Sequence, residues 1–156
     1  GVELVPVTSA ADLLEAVRAR AAESDLVIGA AAVGDYAPVA PAADKPAKAA
    51  SLALELRPTV DVIAEVGAGK RPGQVVVGFA AETHDLLAHA ADKLRRKKLD
   101  LIVANDVTAA GSGFGVDTNQ VVLLFADGRR ESLPLQSKRA VAEAVLTAAL
   151  GLLPSS

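Results

Sequence analysis

The chain has 156 residues, about the length of one ordinary domain, and its 51% hydrophobic residues suffice for a core, which excludes a disordered chain. The absence of cysteine excludes disulfides, thiolate nucleophiles and cysteine-based zinc or iron–sulfur sites. A net charge of −3, with only 3% aromatic residues, argues against a nucleic-acid partner, and the lack of a long uncharged apolar run argues against a membrane partner, so we expect a cytoplasmic protein.

Short β-branched runs alternate along the chain with segments of helical spacing, a pattern typical of α/β proteins. We predict strands at residues 2–7, 26–33, 52–56, 74–81, 100–105, 120–126 and 129–133. We predict helices at residues 10–23, 60–66, 84–98 and 138–152, with N-caps at Ser9, Thr59 and Ser137. Residues 36–50, which contain three prolines, are predicted to form a loop.

These elements predict one domain over residues 1–156, with a three-layer, Rossmann-like, mainly parallel sheet and an appended antiparallel hairpin. The hairpin is indicated by the turn pair Asp127–Gly128 between two apolar runs. Because it is apolar and a two-stranded ribbon is marginal alone, we expect the arm of residues 109–133 to form a homodimer contact. Ligands of such sheets bind beyond the carboxyl ends of the strands.

Three strand ends are therefore candidate ligand sites. The run from Gly29 to Tyr36 has small residues that would let a ligand approach the backbone, and its one carboxylate, Asp35, suits a cation or a hydroxyl; equally, Asp35 caps a turn. At the second strand end stands Phe79, which is either part of the core or a stacking surface for a base. Asn105 ends the third strand.

Basic residues follow the second of these strands. Lys93 and Lys97 are four residues apart on a predicted helix and so share a face that suits a polyphosphate, although a basic helix end is also an ordinary solvated surface. Lys45 and Lys48 lie in the proline-rich loop, where lysines are usually only surface. No G-x-G-x-x-G, G-x-x-x-x-G-K-[ST] or G-x-S-x-G motif supports a standard dinucleotide, P-loop or hydrolase site.

Seven motifs, in the same order and at the same spacing, resemble the phosphopantothenate-cysteine ligase family, also called phosphopantothenoylcysteine synthetase. They are AAVGDY (31–36), Lys45, TVDVI (59–63), VVGFAAET (76–83), the K-x-x-x-K of Lys93 and Lys97, DLIVANDV (100–107) and FGVDTNQVVLL (114–124). The resemblance implies a coenzyme A biosynthesis enzyme in which CTP activates 4′-phosphopantothenate as an acyl-cytidylate, with Mg²⁺, and cysteine then displaces CMP. It also implies fusion to a flavin-dependent decarboxylase.

The resemblance also implies roles for particular residues, with Lys45 as the catalytic lysine and Asp35 as the residue that contacts the metal. The residues expected to bind CTP are Gly29, Ala30, Ala31, Asp35, Lys45, Thr59, Val60, Asp61, Val62, Phe79, Lys93 and Lys97. Those expected to bind the phosphopantothenate side are Ala31, Ala32 and Asn105.

The chain also departs from the family pattern. The family has alanine at the position of Gly34, and a K-I-K-K run where this chain keeps only Lys45 and Lys48. The family's Gly-rich first segment and its N-x-S-S-G-K-M-G motif are absent, so we expect this chain to be a C-terminal portion of the ligase domain. The alternative is a nucleotide-binding or assembly module that does not catalyse.

Overall fold

The computed structural model describes residues 1–42, 44–45, 47–82, 85–106, 112 and 115–154. Its helices and strands are, in chain order, α1 (Ala10–Ala21), β1 (Leu26–Gly29), β2 (Tyr36–Pro38), β3 (Leu56–Pro58), α2 (Val62–Gly69), β4 (Val75–Glu82), α3 (Leu86–Arg96), β5 (Leu101–Asp106), β6 (Thr118–Phe125), β7 (Arg130–Ser137) and α4 (Lys138–Leu150). None of these helices combines the length and the hydropathy needed to cross a bilayer.

Five of the strands form one sheet in the order β1-β4-β5-β6-β7. β1, β4 and β5 are parallel, with Gly29 opposite Gly78 and Val103 opposite Phe79. β6 is antiparallel to both of its neighbours, so β7 points the same way as the three parallel strands. The predicted mainly parallel sheet is therefore confirmed.

The central strands of the sheet are buried on both faces, and their alternate side chains point to opposite layers. One layer packs against α4 and the other against α2 and α3, which confirms the three-layer fold. The α4 face contains Val75, Val77, Leu101, Val103, Val121, Leu123, Phe125, Leu133, Val141, Val145 and Ala149. The opposite face contains Val66, Val76, Ala80, Ala90, Leu94, Leu99, Ile102, Ala104 and Leu124.

The predicted hairpin is present as β6 and β7, joined through Asp127 and Gly128, whose φ of +91° places it in the left-handed region. It extends the main sheet at β5. Val121 and Leu123 are at most 1% exposed within the chain's own core. The argument that this arm has an apolar face left for a second subunit therefore does not hold; residues 107–111, 113 and 114 of the arm lie outside the described residues.

Several predicted elements are wrong in their bounds or in their existence. β7 runs to residue 137 instead of 133, α2 covers 62–69 instead of 60–66, and residues 36–38 of the predicted loop form β2. Residues 2–7 form no strand, because an apolar alternation becomes a strand only where a neighbour supplies hydrogen bonds; Val2 is 97% exposed. β1 ends at Gly29, and the next four residues leave the sheet. The predicted strand at 52–56 begins only at its last residue, where β3 pairs with β2 in a separate two-stranded sheet. Asp61, not Thr59, caps α2.

Candidate functional site

A cleft of about 330 Å³ lies at the carboxyl end of β1, beside Phe79 in the middle of β4 and the start of α2. The segment that follows β1 forms one wall of the cleft, and the segment before α2 forms the opposite wall. Its lining residues are Leu13, Val17, Val27, Ile28, Gly29, Ala30, Ala31, Ala32, Val33, Gly34, Asp35, Thr59, Val60, Asp61, Val62, Ile63, Phe79 and Lys97. This is the position expected for a ligand of an open α/β sheet.

Two walls of the cleft are tied together by Thr59. Its hydroxyl donates to the carbonyl oxygen of Gly34 at 2.5 Å, and its backbone N–H donates to the carbonyl oxygen of Asp35 at 2.9 Å. β2 and β3, which pair immediately beyond, continue the same connection with Tyr36 opposite Pro58. The backbone of Asp35 is thus fixed at the rim, and its exposed side chain lies at the cleft.

Gly29 brings α2 close to the end of β1. A Cβ built on Gly29 would lie 2.8 Å from Cδ1 of Ile63, a distance that real Cβ atoms do not show. The space beside Gly29 is therefore filled by a side chain of α2. The glycine serves helix packing in addition to lining the cleft.

Phe79 is 41% exposed although its neighbours Gly78 and Ala80 are buried. The side chain leaves the core and lines the cleft. Of the two alternatives raised by the sequence, the exposure of Phe79 contradicts a core residue, and the stacking surface stays a prediction. An aromatic ring at the rim of a cleft offers a planar apolar face to a base.

Lys97 is the one described cation that lines the cleft, and it is the C-cap of α3. Its Nζ lies 2.8 Å from Oδ2 of Asp61, and only 19% of its side chain is exposed. Burial raises the pKa of Asp61, but the hydrogen bond from Lys97, the N–H of Ala64 and the charges of Lys97 and Arg96 outweigh it, so this pKa lies below its usual value. Lys97 therefore faces an ionised carboxylate.

Three of the residues predicted to form the site do not line this cleft. Lys45 is exposed in the proline-rich segment, and Lys93 is half-buried on α3 with interactions of its own. Asn105 lies at the end of β5, where its Oδ1 is 2.9 Å from the hydroxyl of the buried Ser112. Every other predicted site residue lines the cleft.

The sequence interpretation missed part of the apolar wall. Leu13 and Val17 of α1 reach the cleft, as do Ile28 and Ile63. The spacing of Leu13 and Val17 predicted one face of a helix, but spacing alone does not say whether that face packs on the sheet or lines a cavity. α1 and α2 are joined by the ion pair of Arg18 and Glu65 at 2.6 Å.

The acidic side chains of the cleft leave one candidate metal ligand. In the part of the chain that the structure describes, no three His, Asp or Glu side chains converge on one point. Both oxygens of Asp61 are already used, one by the N–H of Ala64 and one by Lys97. Asp35 is left as an exposed carboxylate at the cleft, and a single carboxylate fits Mg²⁺, which proteins commonly hold through one or two carboxylates together with the oxygens of a ligand.

Comparisons with known proteins show which family this chain resembles. The family described as "DNA/pantothenate metabolism flavoprotein C-terminal domain" matches residues 1–152. Coenzyme A biosynthesis bifunctional protein CoaBC of Bacillus subtilis (strain 168) is 48% identical over 145 residues, which are 92% of this chain and 36% of that protein. A cysteine/cysteine sulfinic acid decarboxylase of an unknown prokaryotic organism is 38% identical over 147 residues, covering 93% of this chain and 41% of the relative.

A solved structure shows the same architecture. The crystal structure of the C-terminal domain of coenzyme A biosynthesis bifunctional protein CoaBC superposes with a TM-score of 0.74 at 37% identity, covering 92% of this chain and 62% of that one. The chain spans roughly two fifths or less of the length of the two curated relatives. By sequence and by fold, the chain belongs to the DNA/pantothenate metabolism flavoprotein C-terminal domain family.

Proposed function

We propose that this chain provides the nucleotide site of a CTP-dependent phosphopantothenate-cysteine ligase in coenzyme A biosynthesis. The observation that carries the proposal is the convergence of Phe79, Lys97 and Asp35 on one cleft at the carboxyl end of β1. An aromatic face, an ammonium group and a carboxylate are what a base, a triphosphate and its cation require. The names of the CoaBC relatives support the pathway.

The proposed reaction has two steps. The carboxylate of 4′-phosphopantothenate attacks the α-phosphorus of CTP, forming an acyl-cytidylate and releasing pyrophosphate. The amine of cysteine then attacks the acyl carbon, an amide bond forms and CMP leaves. Both leaving groups are anionic, so fixed positive charge lowers the barrier most.

Lys97 is the cleft residue suited to that task, because its ammonium is held in place before the nucleotide arrives. Phe79 would stack on the cytosine, while residues 59–62 border the base. Asp35 would hold an Mg²⁺ ion together with the phosphates, and the charge of that ion would stabilise the departing pyrophosphate. Lys45 would have to enter from the proline-rich segment, and Lys93 would contact the triphosphate from the same face of α3.

Titration calorimetry of the 156-residue chain with CTP, ATP and UTP, with and without Mg²⁺, tests the nucleotide site. We expect CTP to be preferred, and we expect Lys97→Ala and Phe79→Ala each to weaken its binding about tenfold or more. Arg96→Ala removes the same charge from an exposed side chain paired with Asp92, and Leu146→Ala trims an exposed apolar residue on α4; both should bind normally. Equal losses in all four variants would refute the proposed site.

The main competing function is a nucleotide-binding or assembly module without turnover. Supplying 4′-phosphopantothenate, cysteine, CTP and Mg²⁺ to the protein that contains this chain, and following pyrophosphate release, separates the two. Pyrophosphate release in the absence of cysteine, followed by CMP formation only when cysteine is added, supports the ligase. Selective CTP binding with no pyrophosphate release supports the module.

We also propose a homodimer, through a different surface from residues 109–133. The two-stranded sheet of β2 and β3 carries exposed apolar side chains, with Tyr36 64% and Leu56 51% exposed, and Leu52 and Leu54, shortly before β3, are exposed as well. Such a ribbon is marginal in water unless its apolar face is covered, and in the proposed dimer a second copy would cover it with the same surface. Sedimentation should give a dimer that Leu54→Glu converts to monomer, whereas Leu135→Glu on β7 leaves it intact.

A further inference from the structure

Helix α2 contacts Lys97 at two separate points, one on its side chain and one on its backbone. The side-chain contact comes from Asp61, which caps α2 by accepting from the N–H of Ala64 at 3.1 Å and accepts from Lys97 at 2.8 Å through its other oxygen. One carboxylate therefore fixes both the start of α2 and the ammonium group. The two oxygens divide these tasks.

The backbone contact comes from Gly67, one and a half turns further along α2. A Cβ built on Gly67 would lie 2.0 Å from the carbonyl oxygen of Lys97 and 3.3 Å from that of Lys98. Any side chain at this position would collide with backbone, which cannot rotate away. The missing side chain of Gly67 is thus what lets the end of α3 approach α2.

The end of α3 is itself closed by two hydrogen bonds. Lys98 donates to the carbonyl of Arg95 and Leu99 donates to that of Leu94, the pairing of a Schellman motif, with Lys98 at a φ of +53°. Leu99 is 3% exposed in the core. Because this end of the helix is anchored on one side by Leu99 and on the other by Gly67, the backbone of Lys97 has little freedom to move.

We propose that Asp61 and Gly67 are positioning residues that hold the Lys97 ammonium in the cleft for a polyphosphate. This inference rests on the proposed function and names the residues that prepare its cation. An ammonium has three donors, so Lys97 keeps its bond to Asp61 and still has N–H groups for an anion. A lysine side chain held beforehand loses less conformational freedom on binding than a mobile one.

For the variant Asp61→Asn, the proposal and the change in net charge predict opposite effects on polyphosphate affinity. Asp61→Asn makes the cleft more positive and keeps the N-cap, because asparagine caps helices as well as aspartate does. If only charge mattered, this variant would bind inorganic tripolyphosphate more tightly. We expect it to bind about three- to tenfold more weakly, since Lys97 is no longer held. Tripolyphosphate is used as the probe because it has no base for Asp61 to contact.

Matched variants separate positioning from general damage. Asp92→Asn also removes one negative charge beside α3, but Asp92 pairs with Arg95 and Arg96 instead of Lys97, so the charge change alone is reproduced. Gly69→Ala is the control for Gly67→Ala, since nothing lies within 4 Å of a Cβ there. We expect Gly67→Ala to weaken tripolyphosphate binding about tenfold, and both controls to bind at least as well as wild type.

Two readouts distinguish the inference from the proposed function. In a Lys97→Ala background, Asp61→Asn and Gly67→Ala should cause no further loss of affinity, whereas damage unrelated to Lys97 would add to it. Independently of any ligand, the ¹⁵N ammonium signal of Lys97 in the free protein should shift and lose its slow hydrogen exchange in both variants. Unchanged Lys97 signals would overturn the positioning role, even if CTP binds. Changed signals without polyphosphate binding would leave the contact established and refute the proposed nucleotide site.

Discussion

The hydroxyl of Thr59 donates a hydrogen bond to the carbonyl oxygen of Gly34, which joins the segment after β1 to the segment before α2 across the mouth of the cleft. Because the backbone N–H of Thr59 also donates to Asp35, a single residue holds the rim in register. The sequence interpretation placed Thr59 as a helix cap or a neighbour of the base. In the structure, its hydroxyl is occupied by the protein itself.

Thr59→Val keeps the shape of the side chain and removes this bond. We expect the free energy of unfolding to fall by about 1 kcal/mol and CTP affinity to fall about threefold, because the rim is no longer fixed. Thr147→Val is the control, since the Thr147 hydroxyl also donates to a carbonyl, that of Glu143, but on the distant α4. Equal losses of CTP affinity in both variants would show that the Thr59 bond at the rim has no specific effect on CTP binding.

Lys98→Gly should stabilise the fold. The left-handed region that Lys98 occupies costs a residue with a Cβ about 1–2 kcal/mol of strain in the folded state. Glycine removes this strain, but it also makes the unfolded chain more flexible, which offsets part of the gain. We expect a net gain of about 0.5–1 kcal/mol in urea unfolding. Lys98→Ala, which loses the charge but keeps the Cβ, should show no such gain; equal stabilisation by both would point to charge instead.

The ion pair of Asp61 and Lys97 should become weaker in acid. Burial raises the pKa of Asp61, but the bond from Lys97 and the other donors lower it by more, so its folded pKa lies below the unfolded value of about 3.9. The pair therefore stabilises the fold above about pH 4, and this contribution disappears as the pH falls through the folded pKa. The difference in unfolding free energy between wild type and Asp61→Asn should be constant near neutral pH and shrink below about pH 4. A difference that vanishes already near pH 6 would contradict the sign.

Ser112→Ala should loosen the junction of β5 and β6. The Ser112 hydroxyl oxygen accepts from the N–H of Gln120 at 3.2 Å and lies within hydrogen-bond distance of Asn105 and Asn119. We expect a loss of about 1 kcal/mol in unfolding free energy. Ser132→Ala, on the exposed side of β7, is the control and should change stability by less than about 0.5 kcal/mol. If the two variants behave alike, the buried cluster contributes nothing of its own.

Much of the fold was predictable because its signals are local. The turn of Asp127 and Gly128 defines a hairpin through backbone conformation, and Ser137 caps α4 by accepting from the N–H of Ala140 at 3.1 Å, as predicted. The buried runs 75–77 of β4 and 101–104 of β5 are apolar at every position, because both faces are covered there. These features depend on residues within a few positions of one another.

The wrong predictions depend on distant partners. Residues 2–7 alternate like a strand, but alternation does not supply a neighbour to pair with. β1 stops at Gly29 although the apolar run continues, because the chain turns away there to form the cleft. For the site, motif positions predicted most of the lining, whereas Lys93 lies outside the cleft, which is lined, among the described residues of the α3 region, only by the C-cap Lys97. The sequence contains no local sign of that.

The arrangement of the sheet has a consequence for the order in which it forms and opens. β5, β6, β7 and α4 follow one another along the chain, and each contacts its neighbour in sequence, so their contacts close short loops. β1 instead pairs with β4 across the whole of β2, β3 and α2. Closing the long loop between β1 and β4 costs more conformational entropy than closing the short loops between β5, β6 and β7. We therefore expect β1, at the cleft, to separate from the sheet first in partial unfolding. A nucleotide bound there would slow amide exchange in β1 far more than in β6. The ligand would thus stabilise the pairing of β1 with β4, whose residues are far apart in the sequence.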